Sequence, residues 1–310
     1  MTGKVVVVGS LSMDLVLTVP RLPVKGETIK GSTFDTFFGG KGNNQAIAAA
    51  KLGATVAMLG KVGADAYGKA ILANLEACHV DAGPMLVDNK RGSGIANIWV
   101  GPSGENSIVI IPNANGALSP SDIQPELFKD AAVLLLQLEI PLETVTKAAQ
   151  LAHHHSAKVI LNPAPAPQDG ILPKELLTLV DVLIPNESEA LLMTGIDPVD
   201  QESAIRCGEK LLSMGPKNVV LTLGERGAML MSKGEKPQFF ESFKVTVVDS
   251  TAAGDAFVGA FGAMLASGAT LSDAVRYGCA AGSLACTKAG AAPSLPSREE
   301  LEQLLKTSAR

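Results

Sequence analysis

Apolar runs of strand length alternate with segments of helical periodicity along most of the chain. Runs rich in Val, Leu and Ile predict strands at KVVVVGS, TVAMLGKVG, AAVLLLQLE, AKVILNPAP, DVLIPNESE and NVVLTLGE. The segments between them predict helices over 43–52, 66–78, 142–153 and 201–214, and Gly53 and Gly215 fit the glycine that often follows a helix. This alternation is typical of parallel strands joined by crossover helices. We therefore expect an α/β fold with a doubly wound, mostly parallel sheet flanked by helices.

Two segments break this rhythm. Residues 14–38 and 92–112 alternate apolar and polar positions and contain turn-forming residues, a pattern typical of antiparallel hairpins. We expect them to form a small antiparallel sheet beside the main one. Because an appendage near a binding edge can close over a ligand, we interpret this sheet as a lid on a single domain that spans residues 1–310.

Composition narrows the range of partners. The 310 residues carry a formal charge of −5 and contain no block of Lys and Arg, which argues against a nucleic-acid partner. The apolar runs are too short to cross a membrane. The four cysteines lack the spacing of a disulfide framework or a zinc site, so we expect free thiols, a reducing compartment and a cytoplasmic protein.

Polar residues follow several apolar runs at the predicted carboxyl ends of strands. Gln137, Asn162, Asn186 and Thr222 occupy such positions. Ligands of open α/β sheets bind outside the carboxyl ends of the strands, so we expect these side chains to converge on one edge. The signatures GxxxxGK(S/T), HExxH, GxSxG and GxGxxG are absent. The α/β pattern alone would allow a nicotinamide-dependent dehydrogenase, but the missing GxGxxG fingerprint disfavours one.

Two short motifs carry candidate chemistry, and each has a structural and a functional interpretation. In GGKGNNQ, Asn43 could be a helix N-cap, or the glycines could admit a ligand that Lys41 and Asn44 bind. In STAAGDAF, Asp255 could complement the dipole of a helix that runs to about residue 265. It could instead be a base beside the backbone N–H groups of residues 252–254. The occurrence of both motifs in one chain favours the functional interpretation of each.

These motifs occur with GSLSMDLV, PVKGETI, LLLQLEIP, LNPAPA, PNESEA, TLGERGA and AGAAPSLP. In this order and spacing the sequence resembles the ribokinase-type carbohydrate kinases over nearly its whole length. The resemblance implies a doubly wound sheet with a β lid, and transfer of the γ-phosphoryl group of ATP to the 5-hydroxyl of D-ribose, giving D-ribose 5-phosphate and ADP. It also implies Mg²⁺, an activating K⁺ ion and a homodimer formed through the lid.

The resemblance further assigns roles to individual residues. Asp255 would be the catalytic base, and the anion hole would be formed by Ala252, Ala253 and Gly254. The sugar would be held by Ser12, Asp14, Gly40, Lys41, Asn44, Glu139 and Asp255. The nucleotide would contact Asn186, Thr222, Gly224, Gly227, Gly254 and Cys279, and Glu189 would position Mg²⁺ through water. The K⁺ ligands, mostly main-chain carbonyls, would come from Asp249, Thr251, Ala285, Lys288, Gly290 and Ser294.

Two alternatives stay open at the level of the sequence. Ser12 stands where bacterial members of the family commonly have Asn, so the same chemistry on deoxyribose or another pentose or ketose is an alternative. A catalytically silent sugar-binding regulator is the other. It is less favoured, because Asp255, Gly254 and Glu189 are all present.

Overall fold

A sheet of nine strands forms the centre of the computed structural model, which describes residues 3–103 and 105–307. In chain order the strands are β1 Lys4–Val8, β2 Ser12–Thr18, β3 Thr33–Gly39, β4 Thr55–Leu59, β5 Lys61–Gly63, β6 Val80–Asp81, β7 Leu86–Asp88, β8 Gly94–Val100, β9 Asn106–Ile111, β10 Ala131–Leu136, β11 Lys158–Leu161, β12 Val182–Leu183, β13 Asn218–Thr222, β14 Ala228–Ser232 and β15 Gln238–Phe240.

The helices are α1 Lys41–Lys51, α2 Ala66–Ala77, α3 Leu142–His154, α4 Lys174–Leu177, α5 Glu187–Thr194, α6 Gln201–Ser213, α7 Ala253–Ala266, α8 Leu271–Ala285 and α9 Arg298–Thr307. Short 3₁₀ turns cover Asn113–Ala117, Pro120–Asp122, Pro125–Phe128, Gly224–Arg226 and Ala292–Ser294. Across this described part of the chain, no helix combines the length and the apolar character that a membrane span requires.

The large sheet has the strand order β15-β14-β13-β12-β11-β10-β1-β4-β6. Neighbouring strands are parallel from β6 to β13, and β14 and β15 add an antiparallel edge. Alternate side chains of β1 enter two separate cores. Val5 and Val7 cluster with residues of α1, α7 and α8, whereas Val6 and Val8 cluster with residues of α3 and α6. Helices on both faces confirm the doubly wound, mostly parallel sheet.

The second sheet, ordered β3-β2-β8-β9, is built from the two segments with alternating polarity. β2 pairs with β3, and β8 with β9, in antiparallel fashion. The two hairpins are therefore present as expected. They meet along the parallel pair β2 and β8, so the small sheet is antiparallel except at its centre.

One predicted strand was wrong. The run TVAMLGKVG forms two strands, β4 in the large sheet and β5, which pairs with β7 in a separate short sheet. Gly60 separates them. A Cβ at Gly60 would lie 2.8 Å from the carbonyl oxygen of Gly9 and 2.4 Å from Cδ1 of Leu11, so only glycine fits this close approach. Both halves of the run are apolar, and the pattern therefore conceals the break.

The start of α1 excludes one of the two interpretations of GGKGNNQ, because Asn43 is not the N-cap. The N-cap is Gly40, and Asn43 lies inside the helix with its side chain fully buried. Gly40 has a φ of 90°, and a Cβ there would lie 2.7 Å from Cα of Leu11 and 2.9 Å from the backbone nitrogen of Ser12. Because Gly40 has no side chain, the start of α1 can pack directly against the chain that leads from β1 into β2.

Candidate active site

A cavity of about 220 Å³ lies at the carboxyl edge of the large sheet, where β11, β12 and β13 end and α7 begins. Its walls include Lys41, Asn186, Glu189, Thr222, Ala252, Ala253, Gly254 and Asp255, all of which the sequence predicts for the site. The fold thus brings both short motifs to the edge at which open α/β sheets bind ligands.

The first residues of α7 form one wall of the cavity. Ala252, the N-cap, has a left-handed backbone with a φ of 60°, which is uncommon for a residue with a Cβ. The N–H of Ala253 donates to the carbonyl oxygen of Ser250 at 3.2 Å. At Gly254, no described atom beyond the adjacent residues and the backbone of α7 itself lies within 4 Å of the place that a Cβ would take. A helix N-terminus with open space beside it is suited to bind an anion.

Asp255 is nearly buried, with 7% of its surface exposed. Its two carboxylate oxygens accept hydrogen bonds from different side chains of α1. Asn44 Nδ2 donates to Oδ2 at 2.9 Å, and Gln45 Nε2 donates to Oδ1 at 3.0 Å. A buried carboxylate is costly unless it is hydrogen-bonded, and these amides supply the partners. The residue is therefore more than a solvated acid at a helix start.

Lys41 is the cation that faces this carboxylate. Burial favours the neutral amine, but nearby carboxylates outweigh burial and raise the pKa of Lys41; they belong to Asp255, Glu139 and Glu189. The ammonium group therefore stays charged at neutral pH and partly balances the surrounding acids.

Glu139 connects the first residue of α1 to β1. Its Oε2 accepts a hydrogen bond from Ser10 Oγ at 2.5 Å and another from the backbone N–H of Lys41 at 3.0 Å. Ser10 follows β1, and Glu139 follows β10, the neighbouring strand. The carboxylate thus fixes three segments at the carboxyl edge of the sheet.

Asp14 and Ser12 lie on β2, the strand of the small sheet that leaves this edge. Ser12 Oγ donates to Asp14 Oδ1 at 2.9 Å. Burial raises the pKa of Asp14 to about 6, and the negative charges of Glu139 and Asp255 add to this effect. The hydrogen bond from Ser12 acts in the opposite direction. Asp14 therefore titrates closer to neutrality than an ordinary aspartate does.

Asn186 and Glu189 form a reciprocal cap at the start of α5. Asn186 Oδ1 accepts from the Glu189 N–H at 2.8 Å, and Glu189 accepts from the Asn186 backbone N–H at 2.9 Å and from its Nδ2 at 3.0 Å. Burial raises the pKa of Glu189 to about 7, although the Asn186 N–H lowers it. Both oxygens already accept one hydrogen bond, which suits contact with a hydrated ion better than direct ligation.

The loop before α7 is joined to the loop after α8. Asp249 Oδ1 accepts from the N–H and the hydroxyl of Thr251, at 2.9 and 2.6 Å, and Oδ2 accepts from the Gly290 N–H at 2.9 Å. Burial raises the pKa of Asp249, but these hydrogen bonds dominate and lower it overall. The structure therefore brings these three members of the predicted cation loop together.

The other members of that loop are held by different contacts. The Lys288 N–H donates to the carbonyl oxygen of Ala285 at 3.4 Å, while its ammonium group pairs with Glu300 at 2.5 Å. Ser294 is fully buried, and its hydroxyl donates to the carbonyl oxygen of Ala291 at 2.8 Å. Neither the Lys288 nor the Ser294 side chain is thus directed to a ligand, so main-chain carbonyls are the groups that these positions offer.

Residues 2–298 match the family model described as pfkB family carbohydrate kinase. The chain belongs to this family. It is 39% identical over 308 residues to the ribokinase of Haemophilus influenzae, covering 99% of both chains. It is also 36% identical over 304 residues to the deoxyribokinase of Salmonella typhi, covering 97% of this chain and 98% of the relative. A solved structure of Arabidopsis thaliana ribokinase complexed with ribose and ATP matches with a TM-score of 0.91 and 35% identity, covering 99% of each chain.

Three residues predicted for nucleotide binding in this pfkB kinase do not line the cavity in the described structure. Gly224 and Gly227 lie in the turn between β13 and β14, with φ values of 55° and 90°. Cys279 lies on α8 within the core and is 6% exposed, and burial raises the pKa of its thiol to about 12. The Cys279 side chain therefore offers little surface to a ligand.

Sequence reasoning placed Gln137 and Asn162 at the ligand-binding edge of the sheet without a specific role, and it assigned no role to Gln45. Gln45 accepts from Gln137 Nε2 at 2.6 Å and donates to Asn162 Oδ1 at 3.2 Å as well as to Asp255. Asn162 also lines the cavity. The available signals were the Gln that directly follows Asn44 and the polar residues at strand ends.

Proposed function

We propose that this protein is an ATP-dependent sugar kinase that phosphorylates the 5-hydroxyl of D-ribose, giving D-ribose 5-phosphate and ADP. The observation that carries the proposal is the position of Asp255, a buried carboxylate held by two amides at the open N-terminus of α7. The full-length similarity to ribokinases and to a ribose and ATP complex supports the choice of substrates.

In the proposed reaction, Asp255 accepts the proton of the sugar hydroxyl while the oxygen of that hydroxyl bonds to the γ-phosphorus of ATP. The bond between that phosphorus and the bridging oxygen of ADP breaks in the same step. The backbone N–H groups of residues 252–254 would stabilise the charge on the transferred group. Phosphoryl transfer depends on alignment and charge compensation more than on basicity, and the fixed orientation of the Asp255 carboxylate suits this requirement.

The proposed sugar site combines acceptors and donors that discriminate hydroxyl groups. Asp14 and Glu139 would accept hydrogen bonds from hydroxyls, while Lys41 and Asn44 would donate. Ser12, the first residue of the proposed lid strand β2, and Gly40 would complete this set. Closure of the small sheet over the sugar would exclude water from the attacking oxygen.

The nucleotide would lie along the opposite part of the cavity. Asn186 and Thr222 line it directly, and Gly224 and Gly227 would contribute backbone from the turn that follows β13. Glu189 would hold a hydrated Mg²⁺ through water, which fits its two occupied oxygens. Bound Mg²⁺ supplies charge neutralisation for the phosphates.

A monovalent cation, K⁺, is proposed beside the anion hole. The loops that contain Asp249 and Gly290 are hydrogen-bonded to each other, so backbone carbonyls from both could meet one ion. Oxygen donors from the main chain suit a large, weakly hydrated cation. Because Thr251 directly precedes Ala252, an ion held there would fix the start of α7.

Deoxyribose is the second candidate substrate. The deoxyribokinase relative, at 36% identity, is nearly as similar as the ribokinase, at 39%. The family resemblance also implies an Asn at the position of Ser12. The test is a panel of D-ribose, 2-deoxy-D-ribose and other pentoses and ketoses, with ADP release as the readout and Asp255→Asn as the reference variant. We expect D-ribose to have the highest kcat/KM and Asp255→Asn to lose most turnover. A better deoxyribose substrate would replace ribose in the proposal, and an active Asp255→Asn enzyme would refute the assignment of the base.

Pairing through the lid is proposed as well. Ile108, Val109, Ile110 and Ile111 of β9 are all about half exposed, which leaves apolar surface on both faces of an edge strand. A homodimer would cover this surface, and Val109→Asp should then shift the molecular mass measured by light scattering from dimer to monomer. A wild-type monomer would contradict the proposal. The cytoplasmic location also stays a prediction, supported by the four free cysteines.

A further inference from the structure

Resting on the proposed function, we infer that Gln45 is the positioning residue for the catalytic base. It presents the Asp255 carboxylate to the sugar hydroxyl in one fixed rotation. Its Nε2 donates to Asp255 Oδ1 at 3.0 Å and to Asn162 Oδ1 at 3.2 Å, so both amide hydrogens have acceptors.

The polarity of this network is fixed from two ends. Asn162 Nδ2 donates to the carbonyl oxygen of Ile184 at 2.8 Å, so Asn162 Oδ1 must face Gln45 as an acceptor. The ionised Asp255 carboxylate can also only accept. Both contacts require Gln45 to present its amide nitrogen, and its Oε1 then accepts from Gln137 Nε2 at 2.6 Å. The orientation of the Gln45 amide is therefore determined rather than degenerate.

Burial gives this network its rigidity. Gln45 and Gln137 are fully buried, so water is poorly placed to replace the amide if it is removed. The network spans β10, β11, α1 and α7 and thereby locks the base to the sheet. Asn44, the other partner of Asp255, is also one of the proposed donors to the sugar. Its amide can therefore exchange a protein acceptor for a sugar hydroxyl when substrate binds. Gln45 is committed to protein atoms and keeps Oδ1 fixed throughout.

The charged groups around Asp255 make a fixed rotation consequential. Lys41 attracts the carboxylate, while Asp14 and Glu189 repel it. Without Gln45, the carboxylate rotates under these competing charges, and one oxygen loses its fixed direction toward the hydroxyl. Misplacement of a reacting group by about 1 Å costs on the order of a hundredfold in rate.

The first test is Gln45→Met, which keeps the length of the side chain and removes the amide. We expect kcat to fall by roughly ten- to a hundredfold while KM for the sugar stays within about threefold. Thr144→Val is the matched control, because it removes a fully buried hydrogen bond to Leu118, at 2.7 Å, in the other core. It should lower stability to a similar extent and leave kcat unchanged. An unchanged kcat in Gln45→Met, or a loss of kcat equal to that of the control, would overturn the inference.

The second test is Gln45→Glu, measured from about pH 5.5 to about pH 8.5 beside wild type. When protonated, the introduced carboxyl can donate to Asp255 and still accept from Gln137; when ionised, it repels Asp255. The ratio of variant to wild-type kcat should therefore rise as the pH falls. A pH-independent ratio indicates a purely structural role and contradicts the inference. Asp255→Asn in the same assay separates the two proposals, since its full activity would sink the assignment of the base itself.

Discussion

The backbone N–H of Lys41 donates to the carboxylate of Glu139 at 3.0 Å, which joins the first residue of α1 to the segment after β10. Ser10 donates to the same oxygen from the end of β1. The floor of the proposed sugar site is therefore a junction of three chain segments.

Glu139→Ala should weaken both sugar binding and folding. It leaves the Ser10 hydroxyl and the Lys41 N–H without their acceptor, and we expect the free energy of unfolding to fall by about 1–3 kcal/mol. KM for the sugar should rise by at least about tenfold. Steady-state kinetics and urea unfolding measure the two effects. Glu143→Ala, at an exposed position of α3, is the control; a Glu139 variant that behaves like it would contradict the prediction.

Gly254→Ala should separate activity from stability. Alanine is the better helix former, and its Cβ would meet no described atom within 4 Å apart from the adjacent residues and the backbone of α7, so the melting temperature should stay the same or rise. The methyl group would occupy the space proposed for the phosphoryl group, and kcat should fall by roughly a hundredfold. Calorimetry and turnover on one preparation provide the test. A fully active variant would exclude phosphate contact at this position.

Gly40→Ala should destabilise the protein. Its φ of 90° and the 2.7 Å approach to Cα of Leu11 both oppose a side chain. We expect a loss of at least about 2 kcal/mol in the free energy of unfolding. Gly116→Ala is the matched control, since a Cβ there lies 3.5 Å from the nearest side chain, Cβ of Pro112. Equal midpoints in guanidinium for the two variants would count against the strained turn.

Asp14 should make sugar binding pH-dependent, because its pKa of about 6 lies above the ordinary 3.8. The ionised form accepts hydroxyls better, so KM for the sugar should rise as the pH falls through about 6, and Asp14→Asn should remove this dependence. The free energy of unfolding depends on pH in the opposite direction from sugar affinity. The folded state binds this proton more tightly, so the stabilising contribution is complete below pH 3.8 and is lost as the pH rises through about 6. A KM profile unchanged by Asp14→Asn would refute the assignment.

Activity should increase with K⁺ at constant ionic strength. Asp249 ties the two loops of the proposed cation site, and Asp249→Asn should weaken the response because an amide cannot accept all three hydrogen bonds. A titration of rate against K⁺, with a large organic cation maintaining ionic strength, measures this. Equal rates in K⁺ and in the organic cation would argue against the site.

The sequence predicts the core of the fold because parallel strands buried on both faces are continuous apolar runs. The sequence did not predict β14 and β15, because β14 is rich in methionine and β15 spans only Gln238–Phe240. The sequence did not predict the break at Gly60 either, because the break depends on how closely Gly9 and Leu11 approach Gly60 in the folded chain. Packing distances of this kind leave no periodic signal.

The candidate site likewise contains some residues that the sequence predicts and others that only the folded structure reveals. Lys41, Asn44 and Asp255 stand in short motifs whose residue types already indicate chemistry, and the structure brings them together. Gln45 contacts Asp255 across 210 positions of sequence, so its role depends on how α1 packs against α7. The resemblance assigns Cys279 to the nucleotide site, but the position of this residue along α8 directs its side chain into the core.

The position of β1 between β10 and β4 has a consequence for synthesis of the chain. β1 ends at Val8, but one of its two neighbours, β10, begins only at Ala131. At a translation rate of roughly 5–20 residues per second, that neighbour follows on the order of ten seconds later. Throughout this interval one edge of a valine strand lacks its hydrogen-bonding partner. A strand that lies between two neighbours in the finished sheet thus exposes an aggregation-prone edge while the chain is still being synthesised.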